Sequence, residues 1–77
     1  MPQKQPSWED RAKRFLKAEL KRADVSYREL AERLEKHGIK ETEASIASKL
    51  SRGTFAATFF LASLVAIGCA SVSLDDV

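Results

Sequence analysis

Ser26-Tyr27-Arg28-Glu29-Leu30-Ala31 and, after a turn, Thr42-Glu43-Ala44-Ser45-Ile46-Ala47-Ser48-Lys49-Leu50-Ser51-Arg52-Gly53 read as two helix openings and one helix end in close succession. A serine followed three residues later by glutamate is a capping box, in which the hydroxyl accepts from the third helical N–H and the carboxylate returns to the cap's own N–H. Tyr27, Leu30, Ala31 and Leu34 then recur at helical spacing as an inward stripe. Lys36-His37-Gly38 closes this second helix, with cations near the negative end of the dipole and a glycine to turn left-handed. Thr42 caps a third helix running through Ala44, Ile46, Ala47 and Leu50, and Arg52-Gly53 stops it.

Working outward from this pair, a first helix opens at Ser7-Trp8-Glu9-Asp10, a serine cap before an acidic first turn, and ends at Asp24 or Val25. Trp8, Ala12, Phe15, Leu16, Leu20 and Ala23 make its apolar face, and Trp8 is assigned with them to the core. Lys13, Lys17 and Lys21 form its wet side. Downstream, residues 59–67 are apolar nearly all round and make a fourth helix ended by Gly68. Residues 71–77 amount at most to one further turn. The expected architecture is all-α, a bundle of four to five helices over residues 7–77. Residues 1–6, with two prolines and no apolar stretch, read as a flexible arm rather than a signal peptide and imply a cytoplasmic chain.

The inventory excludes most chemistry. One cysteine, Cys69, forms no internal disulfide, and one histidine, His37, does not complete a metal site, so no metal and no cofactor is expected. A nucleophile, a base and an orienting group are hard to assemble from so little, and an enzyme is not expected. His37 is most simply a helix-end residue and Cys69 a small buried apolar one.

Charge is polarised along the sequence. Thirteen Lys and Arg and nine Asp and Glu lie between Lys4 and Arg52, a net of +4, whereas residues 53–77 hold only Asp75 and Asp76. Such a balance permits a polyanionic partner through counterion release. Residues 53–74 carry no charge, long enough for a membrane span of about 20 residues. The stripes on the other three helices need a common apolar partner, however, and the fourth helix supplies it. Membrane insertion is therefore not expected, and a short membrane-anchored adaptor is only the third reading.

The order of these signals, with Leu30-Ala31 in the second helix, residues 42–46 opening the third, Gly53 ending it, Leu64, Ile67 and Gly68 ending the fourth and Val72-Ser73-Leu74-Asp75-Asp76 following, resembles the lambda-repressor-like helix-turn-helix superfamily, which includes the Cro-type bacterial regulators. The pattern is similar to a diverged bacterial branch of uncharacterised role: Ala31 and Ile46 are fifteen positions apart, wider than in the compact motif, so that helix two or the turn is longer. The resemblance implies a transcriptional regulator whose third helix, residues 42–52, reads the major groove of double-stranded DNA. The residues support this independently. Thr42, Glu43, Ser45 and Ser48 give the helix a small polar front, and Arg28, Lys40, Lys49 and Arg52 suit phosphates. No Arg, Asn or Gln lies in residues 42–48 to make a bidentate base contact, so strong sequence selectivity is not expected.

Related regulators bind paired half-sites as symmetric dimers, and a homodimer is the matching expectation. Projected at 100° per residue, Phe55, Phe59, Ala62 and Ala66 fall on one side of the fourth helix and Phe60, Leu61, Leu64 and Ile67 on the other. The first set is taken as the dimer interface. The alternative function is a protein–protein interaction module that keeps the fold without binding DNA.

Overall fold

The computed structural model describes residues 6–77; the expected arm, apart from Pro6, lies outside the described residues. The described residues form four α-helices, α1 (Trp8–Ala23), α2 (Tyr27–Lys36), α3 (Glu43–Arg52) and α4 (Ala57–Ala66), and the fifth expected element is a single 3₁₀ turn at Leu74–Asp76.

Local chemistry sets these boundaries. The Ser7 hydroxyl accepts from the Asp10 N–H at 3.1 Å, and Glu9 and Asp10 face the positive end of α1. Asp24 ends α1 in the left-handed region, which a short polar side chain tolerates, and Val25 N–H returns to the Leu20 carbonyl at 3.0 Å. Ser26 accepts from Glu29 N–H at 3.1 Å. The Glu29 carboxylate turns to Arg33 at 2.8 Å, so only the serine half of that capping box forms. The reciprocal box belongs to α3, where Ser45 N–H donates to Thr42 Oγ1 at 3.0 Å and Thr42 N–H to Ser45 Oγ at 2.8 Å.

Packing follows from the stripes. Each of α1 and α2 packs against both α3 and α4. The core is Phe15, Leu16 and Leu20 from α1, Val25 after it, Leu30 and Leu34 from α2, Ile46 and Leu50 from α3, and Phe59 and Leu64 from α4. Burying a side chain of this size contributes roughly 1.5–3 kcal/mol. The four phenylalanines hold α4 and the loop before it to α1: Phe15 lies 6.1 Å from Phe60, and Phe55 lies 5.5 Å from Phe59 and 6.0 Å from Phe60. Ser63 is completely buried in α4, and its hydroxyl has no hydrogen-bond partner among the described residues.

Trp8 departs from expectation. It is 68% exposed, because it occupies the first position of α1, about two turns before Phe15, the first core residue, and the Arg11 guanidinium stacks on its ring at 4.0 Å. Cys69 is half-buried rather than buried, and its Sγ lies 3.3 Å from the Ser71 carbonyl. No helix among the described residues is long and apolar enough to cross a membrane, since the charge-free run is interrupted where α4 ends at Ala66.

Three cations tie helices to their neighbours. Lys13 on α1 donates to the Ser51 carbonyl near the end of α3 at 3.2 Å, and Arg33 on α2 donates to the Ala66 carbonyl at the end of α4 at 3.1 Å. Both meet the negative end of a helix dipole. Arg11 donates twice, at 2.9 and 3.2 Å, to the main-chain oxygen of Val77.

Gly53 sets how closely α3 approaches α1. Its φ is +73°, and a Cβ there would lie 2.3 Å from the Glu9 carbonyl oxygen. Gly38 has a similar φ of +81°, and a Cβ there would meet nothing within 4 Å among the described residues. Gly38→Ala is therefore expected to cost about 1 kcal/mol of backbone strain. Gly53→Ala adds an overlap with backbone and is expected to cost about 3 kcal/mol or more. Equal losses in urea denaturation would show that the contact with Glu9 does not constrain the fold.

Candidate nucleic-acid interface

With Ile46 and Leu50 buried, the opposite side of α3 turns to solvent. Glu43, Ala44, Ala47, Ser48, Ser51 and Arg52 are all exposed on it. Three of these, Ala44, Ala47 and Ser51, were not among the residues selected from the sequence. Projection from the Ile46–Leu50 axis finds them, because a helix with only two core anchors presents most of its circumference outward. The ridge is small and uncharged between Glu43 and Arg52.

Arg28 lies near the start of α2 and Lys40 in the connection, and both are exposed, as is Arg52. None of the three forms an ion pair among the described residues. The connection occupies residues 37–42, longer than the three or four residues of a compact helix-turn-helix. The widened spacing between Ala31 and Ile46 thus includes the turn, and Ile39 packs half-buried against the core to anchor it.

The amino end of α3 is engaged within the molecule. Glu41 Oε1 accepts from Ser45 Oγ at 2.6 Å and from Lys49 Nζ at 2.9 Å. The Lys49 ammonium also lies 5.6 Å from the Phe59 ring. Glu41, Ser45 and Lys49, with Lys40 and Thr42, line a shallow concavity of about 360 Å³. Partial burial pushes the Glu41 carboxyl up, and the hydrogen bonds from Ser45 and Lys49 together with the Lys49 charge outweigh it, leaving the pKa lowered. Of the eight residues selected from sequence, Arg28, Lys40, Glu43, Ser48 and Arg52 stand free at the surface. The Thr42 hydroxyl caps α3, Ser45 serves the cap and Glu41, and Lys49 is neutralised by Glu41. Glu41, which decides this, is not among the residues selected from the sequence.

The expected dimer face is corrected. Phe59 is 3% exposed, and Phe55, Ala62 and Ala66 pack half-buried against the core, so this side of α4 is turned inward. Phe60, Leu64 and Ile67 of the other set also pack on the core, so the inward side cuts across both halves. Leu61 and Val65, 60% and 61% exposed, face solvent instead.

Among known proteins, the family model described as a domain of unknown function (DUF6471) matches residues 8–72, and the chain belongs to that family. No curated protein and no solved structure matches it.

Because Glu41 has a lowered pKa in the folded chain, its bonds contribute stability above its ordinary value of 4.5, and that contribution is lost as pH falls through the folded value. Glu41→Gln is accordingly expected to be less stable than the parent at pH 7, with the difference closing in acid. Urea denaturation across pH 3 to 7 checks this, and a difference independent of pH would remove Glu41 as its source.

Proposed function

We propose that this protein is a non-enzymatic, DNA-binding helix-turn-helix protein of lambda-repressor-like type, a transcriptional regulator that lays α3 in the major groove. The observation that carries the reading is the uncovered outer side of α3, where the side chains are short and the flanking cations are free. A helix about 10–12 Å across fits a groove about 12 Å wide only when its leading edge is thin. Ala44, Ala47, Ser48 and Ser51 provide that edge. Alanines there suit thymine methyl groups and Ser48 suits a base edge or phosphate, while Arg28, Lys40 and Arg52 hold phosphates.

Lys49 drops out of the phosphate set, since Glu41 already neutralises it. With no Arg, Asn or Gln on the leading edge, sequence discrimination is modest and backbone contacts supply most of the affinity. Paired half-sites call for a second copy. The uncharged side of α4 at Leu61 and Val65 is where two net-positive chains meet without opposing their cations. The second reading, an interaction module without DNA binding, is favoured by one observation: the carboxylates of Glu41 and Glu43 stand at the leading end of α3, where phosphates would otherwise approach.

Duplex DNA titrations at several salt concentrations separate the two. Three phosphate contacts per chain predict a slope of log affinity against log salt of about −3, and Arg52→Ala should reduce its magnitude by about one. Lys49→Ala should change little, whereas Glu41→Gln frees Lys49 and should tighten binding. Binding indifferent to Arg28→Ala and Arg52→Ala would overturn this use of α3. A complex with one chain per duplex at saturating protein would remove the second copy.

A further inference from the structure

Between Glu43 and Arg52 the outer edge of α3 carries no side chain that tells one base pair from another by hydrogen bonding. Ala44, Ala47, Ser48 and Ser51 are exposed there. At 100° per residue they fall within about 100° of one another, and Ser48 lies opposite the Ile46–Leu50 seam. From Ala44 to Ser51 the edge runs about 10 Å, the length of three base-pair steps.

The polar groups around this edge do not discriminate. A serine hydroxyl donates or accepts, so Ser48 and Ser51 are satisfied by any base pair. The exposed Glu43 carboxylate only accepts, and the exocyclic amino groups of adenine and cytosine both serve it. Arg28, Lys40 and Arg52 meet phosphates, which are the same at every step. What remains are the methyl side chains of Ala44 and Ala47, about 5–6 Å apart on one face. The apolar group that the major groove presents to them is the 5-methyl group of a pyrimidine, which thymine has and cytosine lacks. Long side chains beside the alanines would hold the helix away from that methyl, and the short ones of Ser48 and Ser51 do not.

We infer that Ala44 and Ala47 read pyrimidine 5-methyl groups, so that the ligand class is duplex DNA carrying thymine or 5-methylcytosine at neighbouring steps of the groove. This rests on the major-groove placement of α3 proposed above and adds the chemistry that the edge selects. The selection works by dispersion and removal of methyl groups from water. It is therefore insensitive to salt, unlike the phosphate contacts that supply most of the affinity.

The test titrates the full chain with two pairs of duplexes of equal length, thymine against uracil and 5-methylcytosine against cytosine. Within a pair, charge and base pairing are the same and one methyl group per base differs. Taking a methyl group from water changes affinity about fourfold, so two alanine contacts predict a preference of about tenfold for the methylated member of each pair, with equal salt slopes. The Ala44→Ser/Ala47→Ser double variant should lose the preference and bind the uracil duplex as the parent does. Both alanines are exposed, so its thermal melt should stay close to the parent's. Equal affinity of the parent within either pair overturns the inference and leaves groove binding by α3 standing. So does a double variant that keeps the preference, since the methyl groups are then met elsewhere on the chain. Absence of binding to all four duplexes removes the groove placement as well.

Discussion

Complete burial of Ile46 and Leu50 is the constraint on which this structure turns. They are the only two core side chains of α3, one turn apart, and each contributes roughly 1.5–3 kcal/mol. Because the anchor is so narrow, the ten-residue helix is held along one line and free around the rest. The reciprocal cap at Thr42 and Ser45 fixes its amino end, and the contact of Gly53 with Glu9 fixes its carboxyl end. A helix gripped at both ends and along one seam presents a rigid outer edge, which is the mechanical requirement for a surface that reads another molecule.

The distribution of cations shows how structure and binding compete for the same side chains. Lys13, Arg33 and Arg11 donate to main-chain oxygens of distant residues, and Lys49 is held by Glu41. A helix end left without donors would cost stability, so a basic residue next to one is drawn into it. What is left for an external polyanion among the described residues is a subset: Arg28, Lys40 and Arg52 around α3, and Arg14, Lys17, Lys21 and Lys36 elsewhere on α1 and α2. The net charge of a segment thus overstates its capacity for phosphate wherever helix ends lie within reach of its lysines and arginines.

Helix starts, stops and the core stripes of α1, α2 and α3 were legible in the sequence, because caps and glycines act within four residues and amphipathic periodicity records which side is inward. Three features were not. Trp8 fits the periodicity of α1 but sits where the helix outruns the core, and a stripe does not carry its own length limit. The Glu41–Lys49 pair joins the connection to the helix across eight positions, outside the spacing at which helical ion pairs are recognised. The Arg11–Val77 contact joins residues 66 positions apart, which no local signal records.

The misassigned side of α4 has a different origin. The helix is apolar in every direction, so projection does not say where its buried side lies, and that side cuts across both halves, with Phe59 of one and Leu64 of the other in the core. Chemistry outside the helix decides. Phe15 on α1 and Phe55 in the preceding loop meet Phe59 and Phe60, and that aromatic cluster turns Leu61 and Val65 outward. Ser63 marks the same choice from within: its side chain is small enough to let α4 settle deeply, at the cost of a buried hydroxyl without a partner. A helix that carries this cost and still leaves two branched apolar residues in water is seated by its aromatic contacts and not by the mean polarity of its faces.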